Sequence, residues 1–191
     1  FNSTTIKACA GILRFDRGEI LIDGMDISKL PIDCKRVTAY IPDNPDLYEF
    51  MSGMKYLNFI GDVFGVSKAD REARIEKYAG IFGLTGDLGQ PISSYSHGMK
   101  QKLALISAWL HQPKLIIMDE PTANLDTQAQ TKVLEGIKNL SKVKGQKPTV
   151  IFASNVPAEI ASANRILLLE NGQIVEDGTP KKLMTQDALC N

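Results

Sequence analysis

The stretch Leu115-Ile116-Ile117-Met118-Asp119-Glu120-Pro121 constrains the fold more than any other part of the chain. Its apolar residues lie between Pro113 and Pro121, neither of which continues a central ladder, and the run is too short for a helix. It reads as a strand buried on both faces, and such strands occupy the interior of parallel sheets whose faces are covered by helices. The acidic pair then falls at the strand's C-terminal end, the edge where open parallel α/β sheets bind ligands. One carboxylate there can hold a magnesium ion while its neighbour takes a proton from water. Two solvated acids capping a strand would have the same sequence.

Around that strand, helical and extended patterns alternate. Ser3-Thr4-Thr5 opens a helix in which Ile6, Cys9, Ala10 and Leu13 recur at helical spacing, with Gly11 near its end. A strand over 18–24 running into a Gly turn, loop chemistry at 26–29 and a second strand over 37–41 stopped by Pro42 come next. The segment Asp43-Asn44-Pro45-Asp46 is a loop. From 52 to 84 the pattern turns helical, with Met54, Leu57, Ile60, Val63 and Phe64 on one face, followed by an amphipathic stretch over 68–82 that Ser67 and Asp70 start as a capping box. A helix over 96–110 directs Leu103, Ile106, Ala108 and Leu110 inward, with Trp109 and Met99 as packing residues and His111 as a surface residue near its end.

Beyond the acidic strand, a helix over 127–140 buries Val133, Leu134 and Ile137, and 142–148 reads as a basic solvated turn. A strand over 149–153, a short helix over 158–163 and a hairpin around Asn171-Gly172 complete the pattern. Strands alternating with helices predict an α/β fold with a mainly parallel sheet and a helical insertion ahead of the acidic strand.

With 22 basic and 22 acidic residues the chain has no global field to draw it to nucleic acid or an anionic membrane. Cys9, Cys34 and Cys190 are odd in number and lack paired metal-site spacing, which predicts idle thiols in a reducing compartment. No apolar run reaches the roughly 18 residues of a membrane span and no signal peptide opens the chain, so the expected location is cytoplasmic.

Helix N-termini offer unpaired N–H groups and a positive dipole end, so those at Ser3-Thr4-Thr5 and Ser96-His97-Gly98 are natural phosphate sites. Ser3 to Lys7, Tyr95 to Lys102, Leu115 to Glu120 and Ala123-Asn124-Leu125-Asp126 follow one another in an order and spacing that resemble the nucleotide-binding subunits of ATP-binding cassette transporters, most of all those paired with type-2 exporter permeases. The resemblance covers nearly the whole chain. It implies a P-loop NTPase-like cassette domain over 1–191 whose N-terminal strands precede the chain's start, with an α-helical subdomain inserted at 52–110. ATP and Mg2+ would be the cofactors, and ATP hydrolysis would drive transport through a separate transmembrane permease. A second nucleotide-binding subunit would complete a homo- or heterodimer, peripheral on the inner face of the membrane, with no nucleic acid involved.

By the same resemblance Asn2, Ser3, Thr4 and Thr5 end the phosphate loop, Ser3 ligating magnesium and Thr4 meeting the α-phosphate. Asp119 holds the metal through water, Asp43 supplies a further oxygen ligand, and Glu120 polarises the attacking water. Ser96 and Gly98 reach the γ-phosphate of ATP on the second subunit, and Asp126 acts across that interface. His97 is either a γ-phosphate neighbour or a solvated loop side chain. Asn2 stands where the family has lysine and the loop's glycines would lie before the chain, a lost charge worth about 1.5–3 kcal/mol of hydrogen bonding. Asn155 replaces a histidine; it donates a hydrogen bond but carries no proton at neutral pH, which implies slow turnover.

Phe50, Met51, Met54, Tyr56 and Phe59 suit a groove for a permease helix, or equally a subdomain core. Two other functions compete. A catalytically silent regulatory cassette is favoured by Asn2 and Asn155 and opposed by Asp119, Glu120 and Asp126. A cassette acting on ribosomes or DNA gains nothing from the balanced charge.

Overall fold

The computed structural model describes residues 2–123, 125–140 and 147–183, and of Asn2 the backbone alone. In chain order the elements are α1 (Asn2–Cys9), β1 (Leu21–Ile22), β2 (Met25–Asp26), α2 (Pro31–Arg36), β3 (Thr38–Ile41), α3 (Gly53–Val63), α4 (Lys68–Phe82), α5 (His97–Leu110), β4 (Leu115–Asp119), α6 (Thr127–Leu140), β5 (Thr149–Ala153), α7 (Pro157–Ser162), β6 (Ile166–Glu170), β7 (Gln173–Gly178) and α8 (Pro180–Leu183).

The acidic strand is β4, and it is the middle of a three-stranded sheet of order β3-β4-β5. Both pairings are parallel, with Ile41 opposite Met118 and Asp119 opposite Ala153. Ile116, Ile117 and Met118 are all fully buried, on alternating sides. Ile117 packs with Ile6 of α1 and Ala10 just beyond it, whereas Ile116 and Met118 join the main core with Ala39, Ile41, Leu103 and Ile106. Burial on both faces is what the unbroken apolar run of β4 requires, and it leaves the strand no freedom to slip in register.

Helix α5 packs against β3, and α3 and α4 pack on α5 and on each other, with α4 also in contact with α6. Ser67 caps α4 by accepting from the Asp70 N–H at 3.2 Å, and Ser96 caps α5 by accepting from the Met99 N–H at 3.3 Å. The hairpin β6–β7 turns through Asn171 and Gly172, both at positive φ (49° and 80°), as a two-residue primed turn demands. Trp109 is buried and Met99 packs against the core, as their spacing predicts.

Several expectations are corrected. The strand over 18–24 shortens to Leu21–Ile22, which pairs antiparallel with Met25–Asp26, so the expected loop at 26–29 begins inside a hairpin. Asp26 then accepts from the Ser28 N–H and hydroxyl, at 2.9 and 2.6 Å. Helix α2 was not foreseen; its six residues are too few to display a period. On α3 the buried residues are Gly53, Tyr56, Leu57 and Gly61, not Met54 or Val63. At Gly61 the inner position is taken by Arg71, which lies so close that a Cβ there would sit 2.5 Å from its Nε, and whose guanidinium bonds Asn58, Asp62 and the Val66 carbonyl. Tyr56 thus belongs to the core, while Phe50, Met54 and Phe59 are exposed and Met51 is half-buried.

On α6, Val133 is buried as expected but Leu134 and Ile137 are only half-buried; Gly136 takes the inner position instead, pressed against the Phe82 ring. Leu13 is exposed. His111 is not a surface residue: its ring stacks on Phe64 at a centroid distance of 3.7 Å and 10° between planes. Most of the basic turn over 142–148, with Asn124 and Cys190, lies outside the described residues. Cys9 and Cys34 carry free thiols, and burial pushes both above their ordinary pKa.

Candidate functional site

The three parallel strands end at a common edge, so the residues that follow them emerge side by side. Asp43 follows β3 across Pro42, Asp119 closes β4 with Glu120 next, and Asn155 follows β5 across Ser154. Helix α1 packs on β4 and β5, with Ile6 and, just past its end, Ala10 against Ile117, and brings its first turn to this edge. There the Ser3 hydroxyl donates to Asp119 Oδ1 at 3.2 Å, joining residues 116 apart in sequence. Asp119 is buried, while Thr4, Thr5, Asp43 and Asn155 are exposed.

Glu120 has the left-handed φ of 45°, uncommon for a residue with a Cβ. The chain is held there from both sides: the Glu120 N–H donates to the Ala153 carbonyl at 2.9 Å, and its own carbonyl accepts from the Ala123 N–H at 3.0 Å. A conformation that costs on the order of 1–3 kcal/mol persists only where the surroundings impose it, and such outliers gather at functional sites. Tyr40 completes the edge. Its hydroxyl is buried, and that burial, reinforced by the charges of Asp119 and Asp43, raises its pKa, so it stays a neutral O–H. Nothing in the sequence pattern singles out Tyr40 except its place one residue before the end of β3.

A second group lies elsewhere, at the head of α5. Ser96, His97, Gly98, Met99, Lys102, Leu125, Asp126 and Ala129 line an open cleft of about 290 Å³. Asp126 caps α6 by accepting from the Ala129 N–H at 2.8 Å. A Cβ on Gly98 would meet Leu125 at 3.6 Å and Ala129 at 3.9 Å, ordinary contact distances, so the fold itself does not demand glycine there. His97 keeps Nε2 buried without a hydrogen-bond partner. The sequence-derived residues therefore divide into the sheet edge and this cleft, and Glu120 is separated from Asp126 only by the loop between β4 and α6.

Among the described residues no group of three or more His, Cys, Asp or Glu could enclose a metal ion. The donors that do converge, a serine hydroxyl and a buried carboxylate, are hard oxygens. That set suits Mg2+, which is usually held by one or two carboxylates plus substrate phosphates rather than by an all-protein cage.

A larger cavity of about 640 Å³ lies at the opposite, N-terminal edge of the sheet, bordered by Asp23, Trp109, Lys114 and Thr149, and contains none of these residues. No helix among the described residues is long and apolar enough to cross a membrane.

Comparison with known proteins gives consistent matches. The family described as ABC transporter matches residues 2–123. The uncharacterized ABC transporter ATP-binding protein YhcH of Bacillus subtilis is 33% identical over 176 residues, 91% of this chain and 56% of that protein. The ABC transporter ATP-binding protein NatA of the same organism is 28% identical over 95% of this chain and 73% of its own length. This chain thus spans little more than half of the first relative. A solved structure described as the ATP binding subunit of an ABC transporter superposes with a TM-score of 0.83 at 30% identity, over 98% of this chain and 77% of the other.

Proposed function

The chain belongs to the ABC transporter family, and from that premise we propose that it binds and hydrolyses ATP to drive transport through a separate permease. The observation that carries this reading is the hydrogen bond between Ser3 and Asp119 at the sheet edge, with Glu120 fixed beside it.

In this reading the first turn of α1 receives the phosphates of ATP on its N–H groups, with Asn2, Thr4 and Thr5 around them. Ser3, Asp119 and Asp43 would hold Mg2+, which when bound neutralises phosphate charge and orients the transferred group. Glu120, the residue after Asp119, accepts a hydrogen bond from the attacking water and draws off its proton. Asn155, across the edge just beyond β5, donates a hydrogen bond to the γ-phosphate but carries no proton, so turnover is slow.

The cleft at Ser96, Gly98 and Asp126 is the complementary half of a site on a second nucleotide-binding subunit, with the α5 N-terminus meeting the γ-phosphate of the partner's ATP. His97 borders the same phosphate. Two such half-sites close over ATP and part when it is cleaved, a shift driven by contacts present only while the γ-phosphate is. Residues 52–110 act as one helical unit carrying the permease contact. Its Phe59 joins an aromatic group with the two residues just ahead of the unit, Tyr48 meeting Phe50 at 5.9 Å and Phe59 at 5.6 Å between ring centroids, with Phe50 82% exposed.

Phosphate release from the full-length protein and its Glu120→Gln variant tests the reading. Loss of a general base predicts a fall of about 10²- to 10⁴-fold with ATP binding retained. Equal rates would leave a cassette that binds without catalysis.

A further inference from the structure

Pro121 and Thr122, the two residues directly after Glu120, are buried and are gripped by side chains from three helices. Gln101 on α5, itself buried, donates to the Pro121 carbonyl at 3.0 Å. Gln130 on α6 donates to the Thr122 carbonyl at 3.4 Å. The Thr122 hydroxyl donates to Glu159 Oε1 on α7. The first is capped by Ser96, the second by Asp126, and the third begins just after Asn155, so one short turn is bonded to three helices that each follow a candidate residue.

The Thr122–Glu159 contact is the costliest of the three. Both residues are fully buried, and Glu159 Oε2 has no hydrogen-bond partner. A carboxyl group in that position loses its hydration for a single bond, whereas an apolar side chain of similar volume would fill the space without that penalty. Stability alone therefore does not account for a glutamate there. What the bond does mechanically is plain from its place: it fixes the residue two beyond Glu120 to the helix that follows β5, the same strand whose Ala153 carbonyl holds the Glu120 N–H. Together the two contacts keep the chain from relaxing out of the left-handed turn at Glu120.

We infer that Thr122 and Glu159 are a positioning pair, a buried tether that holds Glu120 where its carboxylate meets the attacking water. The inference rests on the ATPase reading above, and its test separates the two. Thr122→Val and Glu159→Leu break the bond at near-constant volume; Thr122→Ser and Glu159→Gln retain a donor and an acceptor. In the full-length protein each breaking variant should lower kcat about tenfold with KM for ATP within about twofold, and the double variant should lose no more than either single one. The retaining variants should stay within about threefold of wild type.

Amide hydrogen exchange, read without nucleotide, should rise at least tenfold at the Glu120 and Ala123 N–H groups in Thr122→Val, with Ile117 unchanged, and Thr122→Ser should restore it. A wild type that hydrolyses no ATP would overturn the ATPase reading, and with it the catalytic purpose of the pair, while the exchange result would still decide whether the tether exists. Unchanged exchange at Glu120, unchanged kcat, losses that multiply in the double variant, or failure of both breaking variants to fold would each overturn the positioning role.

Discussion

The sheet edge and the cleft at the head of α5 are built on opposite principles. At the edge, Asp119 is buried and bonded across 116 residues of sequence to Ser3, and Glu120 is locked in a conformation it would not adopt alone. At the cleft, Ser96 and Asp126 are exposed, and the side chain of each accepts from the N–H three residues ahead, as a helix cap. A bonded edge beside an open cleft teaches that the first is held by contacts across the chain, whereas the second, on the proposed function, waits for a second subunit to cover it. Changes to the packing that holds the edge together should therefore cost stability first, and changes at the cleft should cost activity alone.

The strongest way to break that contrast is Ile117→Ala. This side chain seals α1 onto β4, and removing it from a fully buried site should cost about 2–5 kcal/mol in denaturant unfolding. A loss under 1 kcal/mol would mean that α1, and Ser3 with it, is not anchored through this contact.

An intermediate effect is expected from acid. Burial is the main reason His111, at the tail of α5, falls from 6.5 to about 4, with the charge of Arg74 acting the same way and an approach to the Thr38 backbone opposing it. Arg74 in turn lies 3.7 Å from Asp70. Between about pH 6.5 and 4 the unfolded chain takes up a proton that the folded one refuses, so stability declines as pH falls through that window and levels off below it, by at most about 3 kcal/mol. His111→Phe keeps the stack on Phe64 and should flatten the curve measured by denaturation at pH 7, 5.5 and 4.5. An unflattened curve would assign the acid sensitivity elsewhere.

The smallest change sharpens the contrast most. Gly98→Ala adds a methyl with room to sit, and alanine favours a helix, so unfolding free energy should rise by under about 1 kcal/mol. ATP turnover should nevertheless fall several-fold, because the methyl intrudes on the cleft. A parallel loss of stability and turnover would remove the distinction between the two regions.

The sequence made β4, its acidic end and the Asn171-Gly172 hairpin readable because prolines and a primed turn mark their limits locally. The Ser67–Asp70 cap was readable for the same reason. What escaped depends on distance along the chain. Nothing near Gly61 announces that Arg71 will cover it, so the apolar period alone places the inner face of α3 one step away from where it lies. Thr122 and Glu159 are 37 residues apart, and neither stands out alone. Tyr40 looked like one more strand residue until the sheet set it beside Asp119 and Asp43. The edge was visible as a set of carboxylates; the contacts that aim them were not.

The left-handed backbone at Glu120 bears on how this chain would drift under different selections. Glycine or asparagine would sit there with less strain. A population propagated only for folding or expression would tend to exchange the glutamate early, gaining stability as it lost the carboxylate. Retention of Glu120 through many generations would therefore be a record of selection for what its side chain does.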